Sequence, residues 1–423
     1  MKIIAIILFI ATYVLIIALP KYRPHIALAS AALFVISGIL PLGSVFTAIN
    51  WNALMMITGT MVVVDFFIGS RMPMRIADIL LAKSPNVMWV TILLSIFAGI
   101  VSAFIDNVAT VLMIAPVGLA LCKKLDISPV PVLISISVSS NLQGASTLVG
   151  DTTSIMLAAY ADMDFNSFFW MEGRPGIFFA VELGALGTVI VMLILFRKLK
   201  QKVEAGDILE INDKIPALML VFLVTALIGA SFIKNKPAVT NGLICIAIAL
   251  ISIAYDYIRY HGPKHSKRAV KSIDLDTILL LTGLFVVVAG ISEAGIIEDI
   301  SEFLIRFGKG NVFLLYSLFV WVSVVASAFI DNIPYVATML PIVAAISANL
   351  GVEPYVLYFG LLSGATLGGN LTPIGASANI TTIRILEKNG YKVSFNDFAR
   401  IGIPFTLTAV TISYIFVWLV WHP

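Results

Sequence analysis

A carboxylate occurs twice in the same short motif of an otherwise apolar chain. The sequence SAFIDN spans residues 102–107 and returns at residues 327–332, which is 225 residues later. An acid near the centre of a bilayer is costly unless it is protonated, paired or hydrated, so Asp106 and Asp331 are candidates for binding a proton or a cation. Each acid could also cap the helix that follows it, and the two roles are compatible.

A glycine-rich pair lies at the same offset. Residues 144–150 read GASTLVG and residues 369–375 read GNLTPIG. Two motif pairs with one spacing indicate an internal duplication, in which each copy carries one intramembrane acid.

The composition is that of an integral membrane protein. The chain has 423 residues, of which 60% are hydrophobic and 12% are charged, with a mean hydropathy of +1.02. The net charge of +3 comes from short loops and forms no basic face, so we expect a lipid bilayer and no nucleic acid as partner. Cys122 and Cys245 lie in or beside apolar spans without metal-ligand spacing, so no disulfide, metal centre or cofactor is predicted.

Apolar runs of about 20 residues predict ten transmembrane helices and an all-α polytopic fold. These spans are residues 3–19, 24–40, 51–70, 130–160, 176–196, 215–233, 238–258, 276–297, 354–387 and 401–421. Two other apolar stretches, 87–123 and 312–350, are too long for one span and carry the acidic motif near their middle. We predict that each is a re-entrant hairpin, which enters and leaves the membrane by the same side.

The spans at 130–160 and 354–387 are each interrupted by a polar, glycine-rich run, at 139–147 and 363–373. Such runs favour turns over helix. Unpaired backbone at membrane depth survives only where it is buried in protein or lines a wet cavity. Both broken helices are therefore expected to line a site.

Basic residues predict the orientation. If the loops 197–214 and 259–271 are cytoplasmic, alternation places most of the 27 lysines and arginines on the cytoplasmic side. The predicted location is the plasma (inner) membrane, as a multi-pass protein whose main basic loops and central linker are cytoplasmic.

The crossings then imply two inverted repeats. Residues 1–200 form the first, 201–214 the cytoplasmic linker and 215–423 the second, and each repeat has five spans, one hairpin and one broken helix. Secondary transporters with this architecture bind substrate near the midplane, where discontinuous helices of the two repeats meet.

The predicted site is a polar pocket without a fixed positive charge. Asn107 and Asn332 offer donors and acceptors, and together with nearby backbone carbonyls they would suit a sodium ion. The predicted substrate- or ion-binding residues are Ser102, Asp106, Asn107, Thr147, Asp151, Ser327, Asp331, Asn332, Asn370, Thr372, Ser377 and Asn379.

Asp151 breaks the symmetry, because Ala376 occupies the equivalent position of the second repeat. It could couple to one ion or cap the half-helix that follows, and the sequence leaves both open. Glu182 and Asp65 are weaker candidates, and Asp256 and Glu293 lie near span ends, where we expect them to be solvated.

The motifs at residues 102–108, 147–151, 327–334 and 369–379 resemble those of the ion transporter superfamily, in the branch of arsenite/antimonite permeases (ArsB type), NhaD-type sodium/proton antiporters and the P protein. The resemblance implies an elevator-like or rocking exchanger, commonly a homodimer, with its site at the hairpin tips and broken helices. The chain departs from the pattern where Thr152, Thr153 and Ser154 follow Asp151, since the family often has prolines and an asparagine there. The Ser-Asn-Thr motif typical of related dicarboxylate and sulfate symporters is absent from both tips.

We therefore expect an ion-coupled secondary transporter and not an enzyme. Proton-coupled efflux of arsenite or antimonite by alternating access is the first expectation, with sodium/proton antiport, or sodium-coupled symport of a divalent anion, as alternatives. The coupling ion is H⁺ or Na⁺, and the cargo is a small inorganic solute or ion. A passive channel and an intramembrane aspartyl protease are remote alternatives, because paired acids in inverted repeats favour alternating access and neither acid has a Gly-x-Gly-Asp setting. The chain has no Walker A motif, which leaves a separate ATPase subunit as an open partner.

Overall fold

The fold is almost entirely helical. The computed structural model describes residues 1–203 and 208–423, so the predicted linker at 201–214 lies partly outside the described residues. The helices of the first half are α1 (Lys2–Ala18), α2 (Arg23–Ile36), α3 (Val45–Ala48), α4 (Trp51–Gly69), α5 (Met72–Ala82), α6 (Val87–Ser102), α7 (Asn107–Lys124), α8 (Val130–Gln143), α9 (Thr152–Tyr160) and α10 (Ile177–Phe196).

The second half has the same succession of helices. They are α11 (Ile215–Ser231), α12 (Thr240–Tyr260), α13 (Ser266–Lys271), α14 (Leu275–Glu293), α15 (Ile296–Phe307), α16 (Val312–Ser327), α17 (Asn332–Leu350), α18 (Tyr355–Gly368), α19 (Ser377–Lys388) and α20 (Phe395–Trp421). Two short strands, β1 (Trp170–Met171) and β2 (Arg174–Pro175), pair antiparallel with Trp170 opposite Pro175. The all-α class predicted from the sequence is confirmed.

The duplication extends from the motifs to the helix boundaries. The helices α6, α7 and α9 begin at Val87, Asn107 and Thr152, and their counterparts α16, α17 and α19 begin 225 residues later in each case. Equivalent residues thus start equivalent helices, although most of the intervening sequence differs.

Seven helices of the described chain are long and apolar enough to cross a membrane, or up to nine if two bent pairs each count as one span. The helices α1 and α2 meet at 115°, and α15 and α16 meet at 113°. The sequence predicted ten spans. Five predicted spans fall short, because α1, α2 and α11 have 17, 14 and 17 residues and because each broken helix divides a span into two short pieces. Two of the seven helices, α7 and α17, belong instead to the predicted hairpin regions. The number of crossings and the inversion relative to the membrane stay predictions.

The helices α5 and α15 precede the two hairpin regions and were not predicted. The α15 sequence has Glu298 and Asp299 in its first turn, while Phe303 and Phe307 are exposed. A criterion of about 20 apolar residues passes over a short amphipathic helix of this kind.

The predicted hairpin at 87–123 corresponds to α6 and α7. Gly99 near the end of α6 lies against Gln143 at the end of α8, whereas Gly118 of α7 lies against Val132 at the start of α8. Hence α6 runs parallel to α8 and α7 runs antiparallel to it, so that the pair folds back at residues 103–106. This first tip lies beside the end of α8.

The second hairpin region is built in the same way. Gly360 of α18 lies against Tyr316 of α16, and Gly368 lies against Val324, so α16 and α18 run parallel. Asn332, which starts α17, lies beside Gly369. The second tip, residues 328–331, thus lies beside the end of α18.

The two halves interlock. The helix α4 packs along α12, α2 along α14, and α10 along α20, so each of these helix pairs joins one half to the other. Gly59 of α4 lies on the backbone of Cys245, and Gly283 of α14 lies on Ala27, with no room for a Cβ at either glycine. Close backbone approach through small residues is how helices gain packing contacts in a membrane, where the hydrophobic drive between them is weak.

Candidate functional site

A cavity of about 450 Å³, the central cavity, lies where the two hairpin tips meet the two helix breaks. It is also lined by α4 and by the start of α14. Its polar lining residues are Thr60, Asp65, Asp106, Asn107, Asn141, Asp151, Thr152, Ser272, Asp274, Thr277, Asp331, Asn332 and Ser377.

Half of the predicted site residues line this cavity: Asp106, Asn107, Asp151, Asp331, Asn332 and Ser377. The other half do not, and all of these are buried: Ser102, Thr147, Ser327, Asn370, Thr372 and Asn379. Their contacts show that they position the cavity wall.

In each half, one threonine binds the helix break to the adjacent hairpin tip. The Thr147 hydroxyl donates to the carbonyl of Ala103, and the Thr372 hydroxyl donates to the carbonyl of Ala328. These bonds satisfy backbone carbonyls that the ends of α6 and α16 leave without helical partners. The tips and the breaks therefore form one connected unit in each half.

Asparagines join the two breaks to each other. Asn141 Nδ2 donates to the carbonyl of Thr366 at 2.8 Å and to Asn370 Oδ1 at 3.1 Å, and Asn370 Nδ2 donates to the carbonyl of Val138 at 2.9 Å. Asn141, Thr366 and Asn370 are polar, and these three residues and Val138 are all fully buried. Such a network is rigid when satisfied and costly when broken.

Serine and asparagine side chains that lie outside the cavity lining extend this network. The Ser137 hydroxyl donates to Asn379 Oδ1 at 2.7 Å, and Asn379 Nδ2 donates to the carbonyl of Gly369 at 3.1 Å. The Ser140 hydroxyl lies 3.1 Å from Ser102 Oγ and donates to the carbonyl of Asn107 at 3.1 Å.

All three predicted acids cap helices. Asp106 Oδ1 accepts from the backbone of Val108 at 2.9 Å, and Asp331 Oδ1 accepts from Ile333 at 3.2 Å. Asp151 Oδ1 accepts from the backbone of Thr152 at 2.8 Å. Each carboxylate also lines the central cavity, and capping leaves Asp106 Oδ2 for a ligand. The second oxygen of Asp151 accepts from the Thr153 hydroxyl at 2.5 Å.

The second tip is held by a cation. Arg23 Nη1 lies 3.0 Å from Asp331 Oδ2, and the two side chains are 25% and 20% exposed. The expectation of a pocket without fixed positive charge is therefore wrong at this tip. No sequence pattern links position 23 to position 331, because the fold alone brings the start of α2 to the second hairpin.

Tyr13 adds to this attachment. Its hydroxyl donates to the carbonyl of Pro334 at 2.8 Å and also bonds the Thr338 hydroxyl. The first two helices thus hold the start of α17 through both Tyr13 and Arg23.

The first tip has no such attachment. Within residues 1–203 and 208–423, no cation lies within 4 Å of the Asp106 carboxylate. The adjacent Asn107 donates through Nδ2 to Asn141 Oδ1 at 2.9 Å, while its buried Oδ1 has no hydrogen-bond partner among those residues. In the second half the equivalent oxygen, Asn332 Oδ1, accepts from the Ser327 hydroxyl.

Backbone carbonyls converge at each tip. A Cβ placed on Gly150 would lie 2.6 to 2.8 Å from the carbonyl oxygens of Gly144, Ser102 and Ala103. Gly375 stands in the same relation to the carbonyls of Gly369, Ser327 and Ala328. Only glycine fits this approach, and clustered carbonyl oxygens are ligands that suit a hard cation.

Five carboxylates line the central cavity: Asp65, Asp106, Asp151, Asp274 and Asp331. Asp65 Oδ2 is paired with Arg268 Nε at 3.0 Å. All the charged residues of this lining are acids, and a cavity of that kind concentrates cations and repels free polyanions. Sequence reasoning ranked Asp65 low and did not select Asp274, whereas the polar run at 139–147 did signal Asn141.

Glu182 was a weaker candidate for the site, and Asp256 was expected to be solvated. Glu182 lies on α10 and does not line the central cavity. Asp256, expected to be solvated, is only 1% exposed and accepts from the backbone and side chain of Ser266 at 2.8 and 2.6 Å. That expectation was wrong because the turn after α12 folds back over the carboxylate.

The chain is similar to known transporters over its full length. Residues 13–362 and 243–422 match the family CitMHS, described as citrate transporter. An uncharacterized transporter of Mycobacterium tuberculosis is 32% identical over 99% of both chains. The P protein of Homo sapiens is 26% identical over 91% of this chain and 55% of its own length.

Solved structures share the fold. The YdaH transporter of Alcanivorax borkumensis superposes with a TM-score of 0.60 at 12% identity, covering 90% of this chain and 86% of that one. MtrF of Neisseria gonorrhoeae superposes with a TM-score of 0.56 at 14% identity, covering 91% and 82%. These two structures show the fold alone. The match to the family model over residues 13–362 and 243–422, together with the 32% identity to the Mycobacterium tuberculosis transporter, shows that the chain belongs to the CitMHS family of membrane transporters.

Proposed function

We propose that the protein is a secondary transporter whose coupling cation, H⁺ or Na⁺, binds at the first hairpin tip. The observation that carries this proposal is the buried Asn107 Oδ1, which has no hydrogen-bond partner in the described part of the chain, beside the Asp106 carboxylate, which has no cation within 4 Å in that part. A buried acceptor without a donor costs about 1–3 kcal/mol, and a bound cation would remove that cost.

The asymmetry between the tips supports this choice. At the second tip, Arg23 compensates Asp331 and Ser327 satisfies Asn332. At the first tip, the equivalent groups face the central cavity together with Asp151, which the second repeat lacks. A cation therefore gains more from the first tip than from the second.

The acidic residues of the cavity favour sodium/proton exchange over arsenite or antimonite efflux as the proposed activity. Sodium and protons are stabilised directly by carboxylates and carbonyl oxygens. Neutral arsenous acid could hydrogen-bond to Asn107, Thr152 and Ser377, but it would use none of the negative charges of Asp106, Asp151 and Asp274, which form no ion pair in the described chain. A free divalent anion is disfavoured by those same charges.

Citrate is a second candidate substrate, favoured by the family to which the chain belongs. A tricarboxylate facing five carboxylates would need cations bound with it, because unscreened like charges at short range repel strongly in a cavity of low dielectric. Citrate transport by this chain should therefore depend on an accompanying cation.

The proposal is tested by flux into proteoliposomes under imposed pH or sodium gradients, with sodium, arsenite and citrate offered in turn, the last with and without a divalent cation. The Asp106→Asn variant should lose most gradient-driven flux. The matched control is Asp276→Asn, which changes an exposed acid at the start of α14 outside the cavity lining. Equal flux and equal pH dependence for Asp106→Asn and the parent would contradict the proposal.

We further propose a plasma-membrane location with the loops at 197–214 and 259–271 cytoplasmic, as their lysines and arginines predict. The proposed partners are a second copy of the chain, as a homodimer, and a separate ATPase subunit. Labelling of single cysteines placed in the 259–271 loop, in right-side-out and inverted vesicles, would decide the orientation.

A further inference from the structure

A second cavity, of about 510 Å³, lies away from the hairpin tips. It is bounded by the end of α4, the chain entering α11, the end of α12 and the turn leading into α13. Its charged lining residues, together with two tyrosines and a histidine, are Arg71, Glu210, Asp213, Tyr255, Asp256, Arg259, Tyr260, Lys264, His265 and Arg268.

Two of the three acids in this second cavity are already occupied by donors of the protein. Asp213 accepts from the hydroxyls of Tyr255 at 3.0 Å and Tyr260 at 3.2 Å. Asp256 accepts from the backbone of His265 at 2.9 Å and from Ser266. These carboxylates are therefore used to fold the cavity wall.

Three of its four Lys and Arg side chains form no ion pair within the described chain. Arg71, Arg259 and Lys264 have no carboxylate within 4 Å among residues 1–203 and 208–423. Lys264 Nζ lies 4.3 Å from the centre of the Tyr260 ring, which holds the ammonium group at the cavity. The fourth, Arg268, forms an ion pair with Asp65, which lines the central cavity.

We propose that the second cavity binds a phosphate group, with Arg71, Arg259 and Lys264 as its ligands. Arg and Lys donors grouped around one cavity are the usual means of holding phosphate oxygens, through charge-assisted hydrogen bonds. The phosphate comes either from the headgroup of an anionic lipid, which basic pockets between transmembrane helices recognise, or from a soluble phosphate compound. The proposal is independent of the transported substrate and of the cation at the first tip.

The test uses full-length purified protein and measures binding in two arms. In the lipid arm, native mass spectrometry and thermal unfolding compare protein in phosphatidylcholine vesicles with and without phosphatidylglycerol. In the soluble arm, inorganic phosphate and ATP are titrated against protein in phosphatidylcholine alone. Binding in one arm identifies the source of the phosphate, and binding in both shows that the cavity accepts either.

The decisive variant is Arg259→Gln combined with Lys264→Gln, and its matched control is Lys267→Gln combined with Lys271→Gln. The control residues are exposed, lie in the same basic region and do not line the cavity. Arg268 is left unchanged because it also holds Asp65. Loss of two charge-assisted contacts should weaken binding about tenfold or more, whereas the control should keep the parent affinity.

Three results would overturn the proposal. They are no binding in either arm, equal weakening in the variant and the control, and unchanged affinity in the Arg259/Lys264 variant. Circular dichroism of both variants separates a loss of ligand from a loss of fold.

Discussion

The side-chain amide of Asn141 donates a hydrogen bond to the backbone carbonyl of Thr366 at 2.8 Å, and the two residues occupy equivalent positions of the duplicated unit, 225 residues apart. Asn370 bonds Val138 in the same region, so the ends of α8 and α18 pass each other in opposite directions. Equivalent positions can touch only near the axis that relates the two repeats. The breaks in the two helices therefore meet at that axis.

Asn141→Ala should destabilise the protein by about 1–3 kcal/mol, because it leaves the Asn370 and Thr366 acceptors and the Asn107 donor buried without Asn141 as a partner. Thermal unfolding in detergent measures the change. The control is Asn389→Ala, which removes an asparagine from the exposed bond to Lys123. An equal shift in the unfolding midpoint for the two variants would show that the hydrogen bonds between the two helix breaks stabilise the protein no more than the exposed bond does.

The ion pair between Arg23 and Asp331 should show measurable coupling. Arg23→Gln and Asp331→Asn each remove one partner, and the double variant should be less destabilised than the sum of the two by about 1 kcal/mol, since the pair is only partly exposed. Additive effects in the double-mutant cycle would mean that the pair contributes nothing to stability.

Gly150→Ala should abolish transport. A methyl group there would meet three carbonyl oxygens at 2.6 to 2.8 Å, so the first tip and the break must separate. Flux in proteoliposomes is the measurement. Gly229→Ala on α11 meets no atom within 4 Å and should behave like the parent, and normal flux through Gly150→Ala would refute the close approach.

Thr147→Val should lower stability by about 1–2 kcal/mol, because it keeps the volume of the side chain and removes the hydroxyl that binds the Ala103 carbonyl. The exposed Thr225 hydroxyl bonds Phe222 within α11, so Thr225→Val is a matched control with little expected effect. Unfolding midpoints of the two variants compare them directly. Thr372→Val should repeat the result in the second half.

Local sequence determined the helical class, the duplication and the position of both breaks. The motifs recur at one spacing, and the polar, glycine-rich runs predicted an interruption, so α8 and α9 could be separated without a structure. The predicted interruptions at 139–147 and 363–373 begin too early, because α8 continues to Gln143 and α18 to Gly368. Asp106 and Asp331 could be selected because a charge in an apolar segment is rare for energetic reasons. The amphipathic helices α5 and α15 escaped this reasoning because they are short and partly polar.

Only the tertiary structure decided which polar groups meet. Thr147 and Asp106 are both polar residues of a duplicated motif. Thr147 nevertheless donates to a backbone carbonyl, whereas Asp106 lines the central cavity. Arg23 reaches Asp331 across 308 residues, and Arg268 reaches Asp65 across 203. Such pairings follow from how α2 and α4 pack against the opposite half, and that packing is set by side-chain volume and close glycine contacts distributed over the whole chain, which no local pattern records.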